Sequence, residues 1–168
     1  MPLEQITTVL LDYQSRTSVL LVQYLLKEYW KLNPEFKKAG VDFINEIKGT
    51  TAAVVIGDRA FVQRTISPYI YDLGEAWKNH TSLPFVFAAW VSNKPLPAAF
   101  IASFNEANEY GLQRVKEVVQ ENPFPVFDLE KYYSHYIQYR LDNEKRKGLQ
   151  QFLAWCRHLK ETRHQLLQ

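Results

Sequence analysis

The chain has 168 residues, enough for one ordinary domain or a pair of small lobes. Its formal net charge is only +2, with acidic and basic residues interleaved, which argues against a nucleic-acid partner and for a solvated surface. At 46% apolar and 14% aromatic residues it can bury a sizeable core, which excludes a disordered chain.

The start, "MPLEQITTVLL", lacks the basic region of a secretory signal. Ile6–Asp12 is rich in β-branched residues and reads as a buried strand. From Ser15 the apolar positions Val19, Leu20, Val22, Leu25, Leu26 and Tyr29 follow helical spacing, and the helix should end before Pro34. "VDFINEIKG" predicts a short helix closed by Gly49, and Ala52–Asp58 a strand broken at Gly57. Tyr69–Tyr71 reads as a short strand, followed by a helix with Asp72 near its cap. "LPFVFAAWVSN" reads as another buried strand. Leu83–Val91 is the longest uncharged apolar run, well short of the ~20 residues of a membrane span, so no membrane is expected.

After Pro97 the pattern turns helical. One long amphipathic helix is expected up to Pro123, weakened at Gly111. A helix capped by Asp128 and a last helix capped by Asp142 or Asn143 should follow. Strands alternating with helices up to residue 92 argue for an α/β domain with a mainly parallel sheet, residues 93–168 being all-helical.

Two joins could carry chemistry. In "LLDYQSRTSVLLVQYLL" the residues Ser15, Arg16, Thr17 and Ser18 crowd hydroxyls and a guanidinium at the start of a helix. Such a terminus is partly positive and its first N–H groups are free, which suits an anion; the same residues read equally well as a Ser15 cap with Arg16 pointing to solvent. In "IGDRAF", Gly57, Asp58 and Arg59 follow a strand, where open α/β sheets bind ligands. They read equally well as a turn, with Asp58 capping the next helix and Arg59 an exposed partner. His80, His135, His158 and His164 are dispersed, so no metal site is expected. Tyr132, Tyr133, Tyr136 and Tyr139 fit packing residues better than a base-stacking platform. The lone Cys156 cannot form an internal disulfide, which fits a reducing, cytoplasmic setting.

Taken as a set, Ser-Arg-Thr-Ser, Ile-Gly-Asp-Arg-Ala, Tyr-Asp-Leu-Gly-x-x-Trp and Leu-Pro-Phe-Val-Phe-Ala resemble the chorismate dehydratases of the futalosine route to menaquinone. The resemblance implies a type II periplasmic-binding-protein-like α/β fold of two lobes with the ligand between them. This chain would supply one complete lobe, residues 1–92, plus the helical C-terminal return part of the other lobe, residues 93–168. It further implies loss of water from chorismate to give 3-[(1-carboxyvinyl)oxy]benzoate, with no cofactor and no metal. The residues carried over as substrate-binding are Ser15, Arg16, Thr17, Ser18, Gly57, Asp58, Thr81, Leu83, Pro84 and Phe85, with Ser82 standing where the family commonly has Gly. Asp58 is the candidate proton acceptor, or a turn cap. A non-catalytic small-carboxylate binding protein of the same fold is the alternative. The family has a further N-terminal segment that this sequence lacks, so a fragment or a shortened protein is expected, inactive alone and self-associating through the face left uncovered.

Overall fold

The structure, a computed structural model, describes the backbone of residues 1–165 and the side chains of residues 1–159. It is a mixed α/β architecture with one small parallel sheet and, among the described residues, seven α-helices. The chain divides into two compact units, residues 1–87 with 141–168, and residues 88–140. These bounds differ from the expected division at residue 92, because the last helix packs with the first unit.

In the first unit, strand β1 (Thr8–Leu11) lies in the middle of the sheet, flanked by β2 (Glu35–Lys38) and β3 (Thr51–Ala53), both parallel to it. Helix α1 (Thr17–Tyr24) continues into a π-turn, Leu25–Tyr29, and is buried on two sides. Val22 and Leu26, four residues apart and so on one face, meet Val9 and Val54 of the sheet region. Leu21, Tyr24 and Leu25 meet Ala76, Trp77 and Phe152. Leu10 points to the opposite face of the sheet and packs on Ala39 and Phe43, the latter in a 3₁₀ turn, Phe43–Glu46. Each fully buried large side chain contributes roughly 1.5–3 kcal/mol, so this unit holds the core.

Helix α2 (Asp58–Ile66) follows β3, and α3 (Leu73–Thr81) begins at Asp72, whose Oδ1 accepts from the N–H groups of Gly74 and Glu75 at 2.9 and 3.0 Å. The expected Asp72 cap is therefore present. The last helix, α7 (Asn143–Gln165), is capped by Asp142, which accepts from the N–H of Lys145 at 2.9 Å. The Lys145 ammonium also bonds this carboxylate, and that bond holds Asp142 below its usual range. Trp77 is fully enclosed, with Tyr24, Phe85 and Phe152 rings at 5.1, 5.2 and 5.9 Å.

Gly148 brings α7 against the loop after α3. A Cβ there would overlap the carbonyl oxygen of Pro84 and stand 3.4 Å from its carbonyl carbon. Alanine improves helix propensity by about 1 kcal/mol, but the obstacle is backbone and cannot rotate away. Gly148→Ala is therefore expected to destabilise the chain by about 1–3 kcal/mol, read as a lowered melting temperature. A rise in melting temperature would show that α7 does not pack this closely.

Several expectations are corrected. Tyr69–Tyr71 is not a strand but an exposed segment after Pro68 without regular structure, with the Tyr71 hydroxyl donating to the Met1 carbonyl at 3.4 Å. Leu83–Asn93 is not a strand either, since among the described residues no strand lies beside it to complete a ladder. Phe85 packs on Trp77, whereas Trp90 and Val91 are 82% and 90% exposed. The strand at Ala52–Asp58 shortens to β3, and β2 occupies a stretch where the sequence reading gives no strand.

In the second unit the long helix is two: α4 (Ala98–Leu112) and α5 (Val115–Glu121). The break falls after Gly111, where Arg114 leaves helical geometry, bonds back to the Gly111 carbonyl at 3.0 Å, and lays its guanidinium 3.5 Å above the Tyr110 ring. A short helix, α6 (Leu129–Lys131), capped by Asp128 as expected, runs into a π-turn at Tyr132–Tyr136. Arg140 grips both carboxylate oxygens of Glu109 at 3.0 and 2.9 Å. Among the described residues, none of residues 88–140 is buried.

Candidate functional site

Because β1 and β3 are parallel neighbours, with Leu10 opposite Ala53, the turns that follow them leave from the same edge of the sheet. This is the carboxyl edge, where open α/β sheets place ligands. Both candidate joins therefore lie at one place.

The first turn is built by Asp12. Its carbonyl accepts from Ser15 N–H at 3.2 Å and its Oδ1 from Gln14 N–H at 3.0 Å, which tightens the chain before α1. Ser15 Oγ then accepts from the N–H of Ser18 at 2.9 Å. Ser15 thus caps α1, and its hydroxyl is engaged in doing so. Thr17 opens the helix half-buried, Ser18 is buried, and Arg16 is exposed. The N–H groups at the head of α1 have no acceptor inside the helix, so donors remain beside the cap.

The second turn rests on Gly57, whose φ of 64° and ψ of −152° lie in a region essentially restricted to glycine. No atom would obstruct a Cβ there, so it is the backbone conformation and not space that requires glycine. The Gly57 carbonyl accepts from Ala60 N–H at 2.9 Å to close the first turn of α2. Asp58 begins α2 and is exposed, its charge well placed against the positive helix end.

The two turns are tied together by Asp12, which the sequence offers only as the end of a strand, and by Arg59, expected there as an exposed partner of its own turn. The Asp12 side chain has no solvent exposure. Arg59, with its side chain 31% exposed, reaches across from α2 and donates from Nη2 to Asp12 Oδ2 at 2.7 Å and to Gln14 Oε1 at 2.9 Å. Its guanidinium also lies 5.6 Å from the Tyr13 ring and 5.5 Å from the Phe43 ring, within cation–π range. Arg59 is therefore not a free surface partner of the turn but the link between both joins. The signal was present in the sequence: an Asp directly after an apolar strand, and an Arg directly after the glycine turn of another.

Thr81, Leu83, Pro84 and Phe85 lie at the end of α3 and in the segment that follows it. Thr81 Oγ1 donates to the Trp77 carbonyl at 2.8 Å and accepts from Leu83 N–H at 3.2 Å, closing the end of α3. Its neighbour His80 stands against Tyr24 of α1 and Tyr29 of the π-turn, with 5.7 and 5.0 Å between rings. Phe85 belongs to the Trp77 and Phe152 packing. Their geometry in the structure is that of a helix end and a core.

The described residues contain no group of His, Cys, Asp or Glu able to hold a metal ion, and no helix among them is long and apolar enough to cross a membrane. The side chain of His164 lies outside the described residues. Cys156, half-buried, packs against the Trp77 cluster. Chemically, the edge offers hydroxyl, backbone and guanidinium donors, with Asp58 as the exposed acceptor. That set suits a ligand carrying carboxylates.

Comparison with known proteins bears on the same region. The chain is 29% identical to the chorismate dehydratase of Thermus thermophilus over a stretch covering 89% of this chain. It spans only 63% of that relative's length. Residues 1–158 match the model of the menaquinone biosynthesis family, a span that includes both turns and the Asp12–Arg59 link, and the chain belongs to that family.

Proposed function

We propose that the chain is the ligand-binding part of a chorismate dehydratase, which eliminates water from chorismate to give 3-[(1-carboxyvinyl)oxy]benzoate. The observation that carries this reading is the convergence of the hydroxyl-rich head of α1 and the Arg59 guanidinium on the carboxyl edge of a parallel sheet. Family membership and the chorismate dehydratase from Thermus thermophilus support it.

In this reading the sheet-bearing part is a lobe of type II periplasmic-binding-protein-like form, and residues 93–140 contribute to the other lobe. The reaction is an elimination in the cytoplasm without metal or organic cofactor. A proton leaves the ring carbon beside the one that loses its hydroxyl, the ring becomes aromatic, and proton and hydroxyl depart together as water. Donors at the head of α1 would fix a carboxylate and place the leaving hydroxyl, so that positioning and charge stabilisation supply the catalysis. Asp58, the exposed carboxylate at this edge, is the acceptor proposed for the proton. Thr81, Leu83, Pro84 and Phe85 act in binding through the shape of the loop after α3.

The test is direct. Titrated with chorismate in a calorimeter, the chain is expected to bind it. Fused to the part of the Thermus thermophilus protein that it does not cover, it is expected to convert chorismate to the aromatic product, with chelator making no difference. Chorismate bound but recovered unchanged from both forms would favour a non-catalytic carboxylate-binding protein. Absence of binding to either form would overturn the reading.

A further inference from the structure

We propose that Arg59 receives a ligand carboxylate on its Nε and Nη1 side, and that the buried Asp12 is the positioning residue holding it there. The inference rests on the reading of this edge as a receptor for a dicarboxylate, and it goes further by naming the cation.

Nη2 of Arg59 carries two hydrogens, and both are used, one on Asp12 Oδ2 at 2.7 Å and one on Gln14 Oε1 at 2.9 Å. The three remaining donors, on Nε and Nη1, bond to none of the described residues. A clasp meant only to join two turns would bury the guanidinium and use up its donors. Here nearly a third of the side chain stays exposed at the ligand edge of the sheet. Its donors on that side are unspent.

The guanidinium is also fixed before any ligand arrives. Asp12 cannot move to follow it, because its side chain is fully enclosed and its other oxygen is held by Gln14 N–H at 3.0 Å. The Phe43 ring, itself wholly buried, and the Tyr13 ring flank the cation. A cation already ordered loses little rotamer freedom on binding an anion. Arg16, the arginine that the sequence pattern offers for this role, is exposed and has no such support. The geometry therefore selects Arg59 over Arg16.

The probes are 3-[(1-carboxyvinyl)oxy]benzoate and its two mono-methyl esters, each titrated calorimetrically against the whole chain. In the unaltered protein one ester, the one masking the carboxylate that Arg59 reads, is expected to bind about tenfold or more weakly than the acid, as loss of a charge-assisted hydrogen bond requires. In Arg59→Gln and Arg59→Lys that gap should close, while the gap for the other ester stays as it was. Lysine can keep the pair with Asp12 but cannot reach two ways at once, so it decides the matter if the glutamine variant fails to fold. Asp12→Asn should narrow the same gap, because the guanidinium is no longer locked. A merely structural role predicts something different: acid and both esters weakened equally, or not at all, in Arg59→Lys. Either result overturns the assignment, as does Arg16→Gln closing the gap instead. If the unaltered chain binds neither acid nor esters, the dicarboxylate reading itself falls, a result distinct from binding that ignores Arg59.

Discussion

Replacing Arg59 with methionine should destabilise the chain by about 3 kcal/mol, and replacing Asp12 with leucine in the same molecule should recover most of that loss. The asymmetry follows from burial. The Asp12 side chain has no exposure, so removing its cation leaves a carboxylate in the interior with a single backbone N–H from Gln14 for support. Breaking a buried pair from one side typically costs ~3–5 kcal/mol. The lower end applies because Arg59 is partly exposed, and water can enter where the guanidinium was. With leucine at position 12 and methionine at 59, no charge remains to desolvate, and the buried Phe43 ring beside the guanidinium offers the new side chains an apolar neighbour. Gln14, exposed, can turn its N–H to water. Urea denaturation of the two single variants and the double variant gives the coupling directly. Additive losses, or less than about 1 kcal/mol for Arg59→Met, would mean that the pair does not hold the two turns together.

The sequence carried the central elements because their signals are local. β1 is an apolar run ending in polar turn residues, and the Asp72, Asp128 and Asp142 caps each satisfy a nearby backbone N–H. The glycine turn at Gly57 was legible for the same reason. What escaped depends on partners distant in sequence. β2 contains only one apolar residue, Phe36, and is a strand because β1 offers a ladder beside it. Leu83–Asn93 has the composition of a buried strand but finds no neighbour. Composition sets what a segment can form, and pairing decides whether it forms. The site shows the same division. The cap at Ser15 was readable within a few residues, whereas the Asp12–Arg59 link spans the sheet and appears only when β1 and β3 lie side by side. Thr81 through Phe85 came from resemblance and not from local chemistry, and in this structure they serve the end of α3 and the Trp77 packing.

The largest effect is expected from residues 88–140. Among the described residues this unit has no buried side chain, while Trp90 is 82%, Val91 90%, Phe100 52%, Ile101 46% and Tyr136 60% exposed. Helix α4 stacks Phe100 on Phe104, and Trp90 stands edge-on to Phe104, so the apolar groups form a connected patch and are not scattered singly. Isolated exposed apolar residues need no explanation, but connected patches mark surfaces that associate. Covering a large side chain is worth roughly 1.5–3 kcal/mol, so a few such groups rival the whole stability of a small domain. The 168-residue chain alone is therefore expected to bind a hydrophobic dye strongly and to elute above its 19.7 kDa monomer mass. Trp90→Ser combined with Phe100→Ser should lower dye binding several-fold and shift elution towards the monomer. The first unit should be unaffected, and chorismate binding by it should persist, because neither residue belongs to the edge of the sheet where Asp12 and Arg59 meet. A dye-silent monomer in the unaltered chain would show instead that this patch is covered in solution by the chain itself.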